Sequence, residues 1–168
     1  MSNASISSAS ATSNLGTLGN FKYEPDKMRW KDFLTPGTFY KLLHVDVESG
    51  QADMLVKFEA GSECFYHRHV AVVSTLVLQG ELRVREQTPD GEVIKVKPAG
   101  SYSFGGVGEV HIEGAGDETA IIYFGMRTDT SVIYEVLNPD LSLKRAITME
   151  DFDRDWREHW PEDSSANS

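Results

Sequence analysis

Residues 61–80 read Gly61-Ser62-Glu63-Cys64-Phe65-Tyr66-His67-Arg68-His69-Val70-Ala71-Val72-Val73-Ser74-Thr75-Leu76-Val77-Leu78-Gln79-Gly80. His67-Arg68-His69 is an H-x-H pair. In a strand, residues i and i+2 point to the same face, so both imidazoles can reach one ion. The pair follows a glycine turn and precedes Val72 to Leu78, a run nearly all apolar or β-branched. Such a run reads as a strand buried on both faces. Gly61 stands six residues before His67, position 74 five after His69, and Gly80 six beyond that.

Outward from this stretch the chain keeps one rhythm. Phe39–Val47, Ala52–Ala60 and Leu82–Arg85 are short runs broken by Ser49-Gly50, Gly61-Ser62 and Gly80. Pro89-Asp90-Gly91 is a strong turn signal, and Val93–Val96, Tyr102–Phe104, Val110–Ile112, Thr119–Phe124 and Ser131–Leu137 follow. Eight or more short strands at this spacing indicate an all-β sandwich or barrel, here spanning residues 21–147. Thr148-Met149-Glu150-Asp151 opens a short C-terminal helix with a capping box, expected over 148–161. Phe152, Trp156, His159 and Trp160 share one face of that helix, which suits packing on the barrel or on a second subunit. Residues 1–20, rich in Ser, Ala, Asn, Thr and Gly, are expected to be flexible, as is the tail 162–168.

The composition is that of one ordinary globular domain: 168 residues, 40% hydrophobic and 25% charged. The net charge of −10 argues against nucleic acid and anionic membranes as partners. No run approaches the roughly 18 apolar residues of a membrane span. The first residues lack the basic and apolar regions of a signal peptide. The lone Cys64 forms no intramolecular disulfide and reads as a small buried apolar residue. A cytoplasmic protein is expected.

The glycine, H-x-H, acidic-position and glycine spacing resembles the first motif of the cupins. Pro98-Ala99-Gly100 resembles the P-x-G of the second, and His111 falls thirteen residues after Pro98, where that motif carries a histidine. The resemblance covers residues 38–137. It implies a single-domain cupin jelly roll, a double-stranded β-helix, with one divalent metal per subunit on His67, His69 and His111. The motif's acidic ligand falls at Ser74, which would leave a three-histidine site about one charge unit more positive. Glu63 and Glu109 are the nearest carboxylates weighed as substitutes. Glu109 precedes His111 by two, on the same strand face.

Within the cupins the chain looks like the three-histidine dioxygenases that cleave acetylacetone or dihydroxyacetophenone. His-Arg-His, the run Leu76–Arg85, Gly100-Ser101-Tyr102-Ser103-Phe104 and Asn138-Pro139-Asp140 carry this likeness. Arg85 matches a pocket arginine of the acetylacetone-cleaving type. Gly105 and Thr75 depart from it, where that type has a glutamate and an aromatic residue. The resemblance implies a non-haem Fe(II) dioxygenase that cleaves a C–C bond of a small β-diketone or hydroxyketone. Ser74, Arg85, Tyr66, Phe104 and Glu109 would line the pocket or support the metal. Zn, Ni or Mn on the same ligands would instead make an isomerase or lyase, and a non-catalytic ligand-binding cupin is a third possibility. Small-molecule substrate, dioxygen and a homodimeric or homotetrameric assembly are the partners implied.

Overall fold

The computed structural model describes residues 23–164, so the expectation for residues 1–20 lies outside it. Twelve strands form two antiparallel six-stranded sheets facing each other, a jelly roll. The strands are β1 Lys31–Asp32, β2 Thr38–Asp46, β3 Gln51–Phe58, β4 His67–His69, β5 Val72–Gln79 and β6 Glu81–Thr88. They continue as β7 Gly91–Pro98, β8 Tyr102–Gly105, β9 Val110–Ala115, β10 Ala120–Arg127, β11 Val132–Leu137 and β12 Leu143–Thr148. One sheet runs β1-β2-β3-β10-β5-β8 and the other β12-β11-β4-β9-β6-β7.

Alternation builds the core between them. Met54, Val56 and Phe58 on β3, Val73 and Val77 on β5, Leu82 and Val84 on β6, and Ile122, Phe124 and Met126 on β10 are all buried. β5 is not buried on both faces as its composition suggests. Val73, Thr75 and Val77 are buried, whereas Val72, Ser74, Leu76 and Leu78 are only partly covered. β-Branched and leucine side chains suit a half-buried pleated face as well as a fully buried one, so the run masks its own alternation.

Gly80 joins β5 to β6 and so connects the two sheets. Its φ is +68°, and a Cβ there would stand 2.4 Å from the Thr119 carbonyl oxygen. Both conditions call for glycine.

The helix α1, Met149–His159, is capped reciprocally. Thr148 Oγ1 accepts from the Asp151 amide and the Asp151 carboxylate accepts from the Thr148 amide, each at 3.2 Å. Its buried face, Phe152 and Trp156, continues into Trp160 and packs on β2 of the same chain. Trp160 sits edge-on to Tyr40 at 5.7 Å, and Trp156 edge-on to His44 at 5.8 Å. Tyr40 donates to Asp155, which also pairs with Lys31 and His159. The helix therefore covers β2 and reaches β12 of the facing sheet. A short turn of helix, α2 Pro161–Ser164, occupies the start of the stretch expected as tail.

Candidate metal centre

The second sheet sets the site by register. His67 and His111 are cross-strand partners on β4 and β9, and His69 lies two residues along β4 on the same face. The three ring centroids are 4.7 to 4.9 Å apart. Nε2 of His67 and Nε2 of His69 approach to 3.0 Å. His67 Nδ1 donates to the Phe65 carbonyl at 3.1 Å. A carbonyl can only accept, so that contact puts the ring proton on Nδ1 and leaves the Nε2 lone pair aimed at the other histidines.

β9 also brings a residue absent from the sequence reading. Glu113 is two beyond His111 and shares its face; it is buried. Its oxygens lie 3.7 Å from His67 Nε2 and 3.8 Å from His111 Nε2. The same period of two that linked Glu109 to His111 could have found it. Of the two, Glu113 faces inward at the cluster. Glu109 lies at a rim, its side chain 55% exposed and 3.9 Å from His111 Nδ1.

Burial governs the titration of the group. It lowers the imidazoles, to about 4 for His67, about 3 for His69 and about 2 for His111, and neighbouring positive charge adds to the last two. Burial raises the Glu113 carboxyl to about 7. Without a cation the three histidines are thus neutral at pH 7 and Glu113 is held largely protonated below it, and three of the nitrogens (His69 Nδ1, His111 Nδ1 and Nε2) are buried with no hydrogen-bond partner among the described residues. One donor atom from each of His67, His69, His111 and Glu113 falls within 4.8 Å of the other three. Unpartnered nitrogens converging on a buried carboxyl fit a divalent first-row metal.

The remaining expected site residues are dispersed by the pleat. Ser74 faces away from the histidines and accepts from Tyr102 at 3.4 Å; its inward neighbours are Val73 and Thr75. It does not occupy the place of the missing carboxylate. Arg85 also alternates outward, between inward Val84 and Glu86, and pairs with Glu63 and Glu92. Tyr66 lies between Phe65 and His67, which line the site; its hydroxyl accepts from Gln87 at 3.4 Å instead. Phe104 stands at the mouth of the site, 70% exposed.

Two cavities meet at the cluster. The inner one, about 50 Å³, is walled by apolar side chains including Met54, Phe58, Phe124, Met126 and Ile133, with His67 at its end. The outer one, about 180 Å³, is polar and has His111 in its wall. His69, Val73 and Glu113 line both. Gly106 closes over the cluster, where a Cβ would stand 3.0 Å from His69 Nδ1.

A family model described as a ChrR cupin-like domain matches residues 19–128. The chain belongs to that cupin family. Among solved structures, this cupin resembles a candidate acetylacetone dioxygenase of Methylibium petroleiphilum at 23% identity, covering 93% of this chain and 99% of that one with a TM-score of 0.64. It resembles an acetylacetone dioxygenase of Acinetobacter johnsonii at 17% identity, covering 83% and 91%, with a TM-score of 0.67. An RmlC-like cupin of Ralstonia eutropha matches at 17% identity over 84% and 89%, with a TM-score of 0.64. At these identities the likeness is one of fold. No curated protein sequence matches. Among the described residues, no helix is long and apolar enough to cross a membrane.

Proposed function

We propose that this cupin is a non-haem Fe(II) dioxygenase cleaving a C–C bond of a small β-diketone or hydroxyketone. The observation that carries the reading is the buried His67-His69-His111-Glu113 group set between an apolar and a polar cavity. The fold it shares with acetylacetone dioxygenases supports the substrate class. His67, His69, His111 and Glu113 would hold the metal, which when bound supplies a Lewis acid and a redox centre for an enolate and dioxygen. The chain's own contribution is positional. The Phe65 carbonyl fixes the His67 tautomer. Gly106 leaves room for the His69 ring beneath it. The apolar wall of Met54, Phe124 and Met126 excludes water from the inner side. Glu113 releases its proton when a cation enters, so that the group carries one negative charge.

Zn, Ni or Mn on the same donors would support a non-redox isomerase or lyase instead. Oxygen uptake separates the readings. Protein reconstituted anaerobically with Fe(II) consumes oxygen with at least one member of a diketone and hydroxyketone panel. Fully iron-loaded protein that consumes none across the panel would contradict the proposal.

The same reading takes the protein as a homodimer or homotetramer. Edge strands β7 and β8 expose Val93, Ile94, Val96, Tyr102 and Phe104, which suits burial against another copy. Light scattering on the eluting protein measures the assembly, and a monomer at micromolar concentration would exclude it.

A further inference from the structure

The outer cavity is lined by two ammonium groups, of which one, Lys97, has no ion-pair partner among the described residues. Lys95 and Lys97 reach it from the inward face of β7. Lys95 is paired with Glu86 at 2.8 Å. Lys31 and Lys27 likewise have carboxylate partners, and Lys57 covers the rings of Trp30 and Phe39. Lys97 has no carboxylate within ion-pair distance among the described residues. Among the described residues its ammonium donates to Ser103 Oγ alone, at 2.9 Å. Because that hydroxyl oxygen accepts from Lys97, its own proton is free to be donated elsewhere. A partly buried ammonium and a hydroxyl side by side offer two donors to one planar anion.

These two donors are held rigidly. The turn between β7 and β8 is pinned to the first sheet by the Gly100 amide on the Val77 carbonyl at 2.8 Å and the Val77 amide on the Ser101 carbonyl at 3.0 Å. The Ala99 amide bonds the Gly80 carbonyl at 2.9 Å. Lys97 and Ser103 flank that turn on strands with fixed register, Leu82 opposite Lys97 and Thr75 opposite Ser103. The same cavity is walled by His69, His111 and Glu113. The carboxylates of the cavity are placed elsewhere: Glu86 on Lys95, Glu113 at the histidines, and Glu109 at the wet rim, 3.9 Å from His111 Nδ1.

We infer that Lys97 and Ser103 bind a carboxylate of the substrate, so that the substrate is a carbonyl compound bearing an acid group rather than a neutral diketone. This inference rests on the metal reading of the neighbouring histidines and narrows its substrate class. A substrate seated there presents its carbonyl end to the His/Glu group and its acid end to β7 and β8.

The test is calorimetric titration of Zn(II)-loaded protein without oxygen, with acetylacetone and with acetylpyruvate, a β-diketone of similar shape that carries a carboxylate. A charge-assisted pair at a partly desolvated site gives roughly a tenfold preference for acetylpyruvate in the unaltered protein. Lys97→Met abolishes that preference, read as the ratio of the two affinities in the same variant; Ser103→Ala reduces it; Lys97→Arg retains it. Thermal melting confirms that each variant is folded. Equal affinities in the unaltered protein, or a preference that survives both Lys97→Met and Ser103→Ala, would overturn the inference. Zinc content and oxygen uptake fail independently: a Lys97-dependent preference in protein that oxidises no diketone keeps this site and removes the oxygenase reading.

Discussion

The Glu113 carboxylate lies 3.7 Å from Nε2 of His67, across the pairing of β9 with β4, while the Glu113 backbone carbonyl accepts from the Cys64 amide at 2.8 Å. A cupin chain with serine at the usual acidic position thereby regains a carboxylate, from a different strand. Glu113→Gln keeps the shape but removes the charge. Metal affinity is expected to fall by a factor on the order of ten to a hundred, measured by competition with a chelator. Ser74→Asp, by contrast, places a carboxylate on the outward face of β5 and leaves that affinity unchanged.

Gly106 covers His69 with a φ of +99°. Gly106→Ala strains the backbone and pushes on the imidazole. The expected cost is about 1–2 kcal/mol in urea unfolding of the metal-free protein. Metal affinity falls as well, because the displaced ring no longer meets its partners. Unchanged affinity would show that the His69 position is not set by this contact.

The metal-free protein has a directional pH response. The three histidines titrate in the folded protein at about 4, 3 and 2, below the ordinary 6.5. The unfolded chain therefore binds more protons below pH 6.5, and stability is lost as pH falls from there towards 4. Glu113, at about 7 against 4.5, acts oppositely: its contribution is present below 4.5 and lost as pH rises to 7. Three groups outweigh one, for a net loss of roughly 2 kcal/mol per pH unit near pH 5.5. Urea melts of chelated protein between pH 7.5 and pH 5 check this, and a stability that rises on acidification would contradict it.

Trp156 is 1% exposed and sits between α1 and β2. Trp156→Ala is expected to cost about 3–5 kcal/mol. Thr148→Ala removes one half of the capping box and costs about 1 kcal/mol. Both changes lie away from the histidines, so metal stoichiometry in whatever protein remains folded is unchanged.

Much of this was legible beforehand, for physical reasons. The turn glycines and period-two runs mark strands directly, and Thr148 with Asp151 marks the helix start because capping is local. The three histidines were readable because their spacing is one of register. The side on which a residue falls was harder. Val72 to Leu78 offers no polar alternation, so sequence does not tell Val73 from Ser74 at the inward position. Arg85 and Tyr66 suffered the same one-residue ambiguity, which flips a side chain to the opposite face. Glu113 obeys the same period of two as Glu109, and the sequence alone does not tell which of the two faces the histidines. β12, made polar by Lys144 and Arg145, carries no strand pattern of its own and is held by pairing with β11.

The central claim is that His67, His69, His111 and Glu113 hold one divalent metal. Metal analysis of freshly purified protein, repeated on His111→Ala, tests it most directly. One ion per chain in the unaltered protein and less than about a tenth of that in the variant is the predicted result. Full metal content in folded His111→Ala would contradict the assignment.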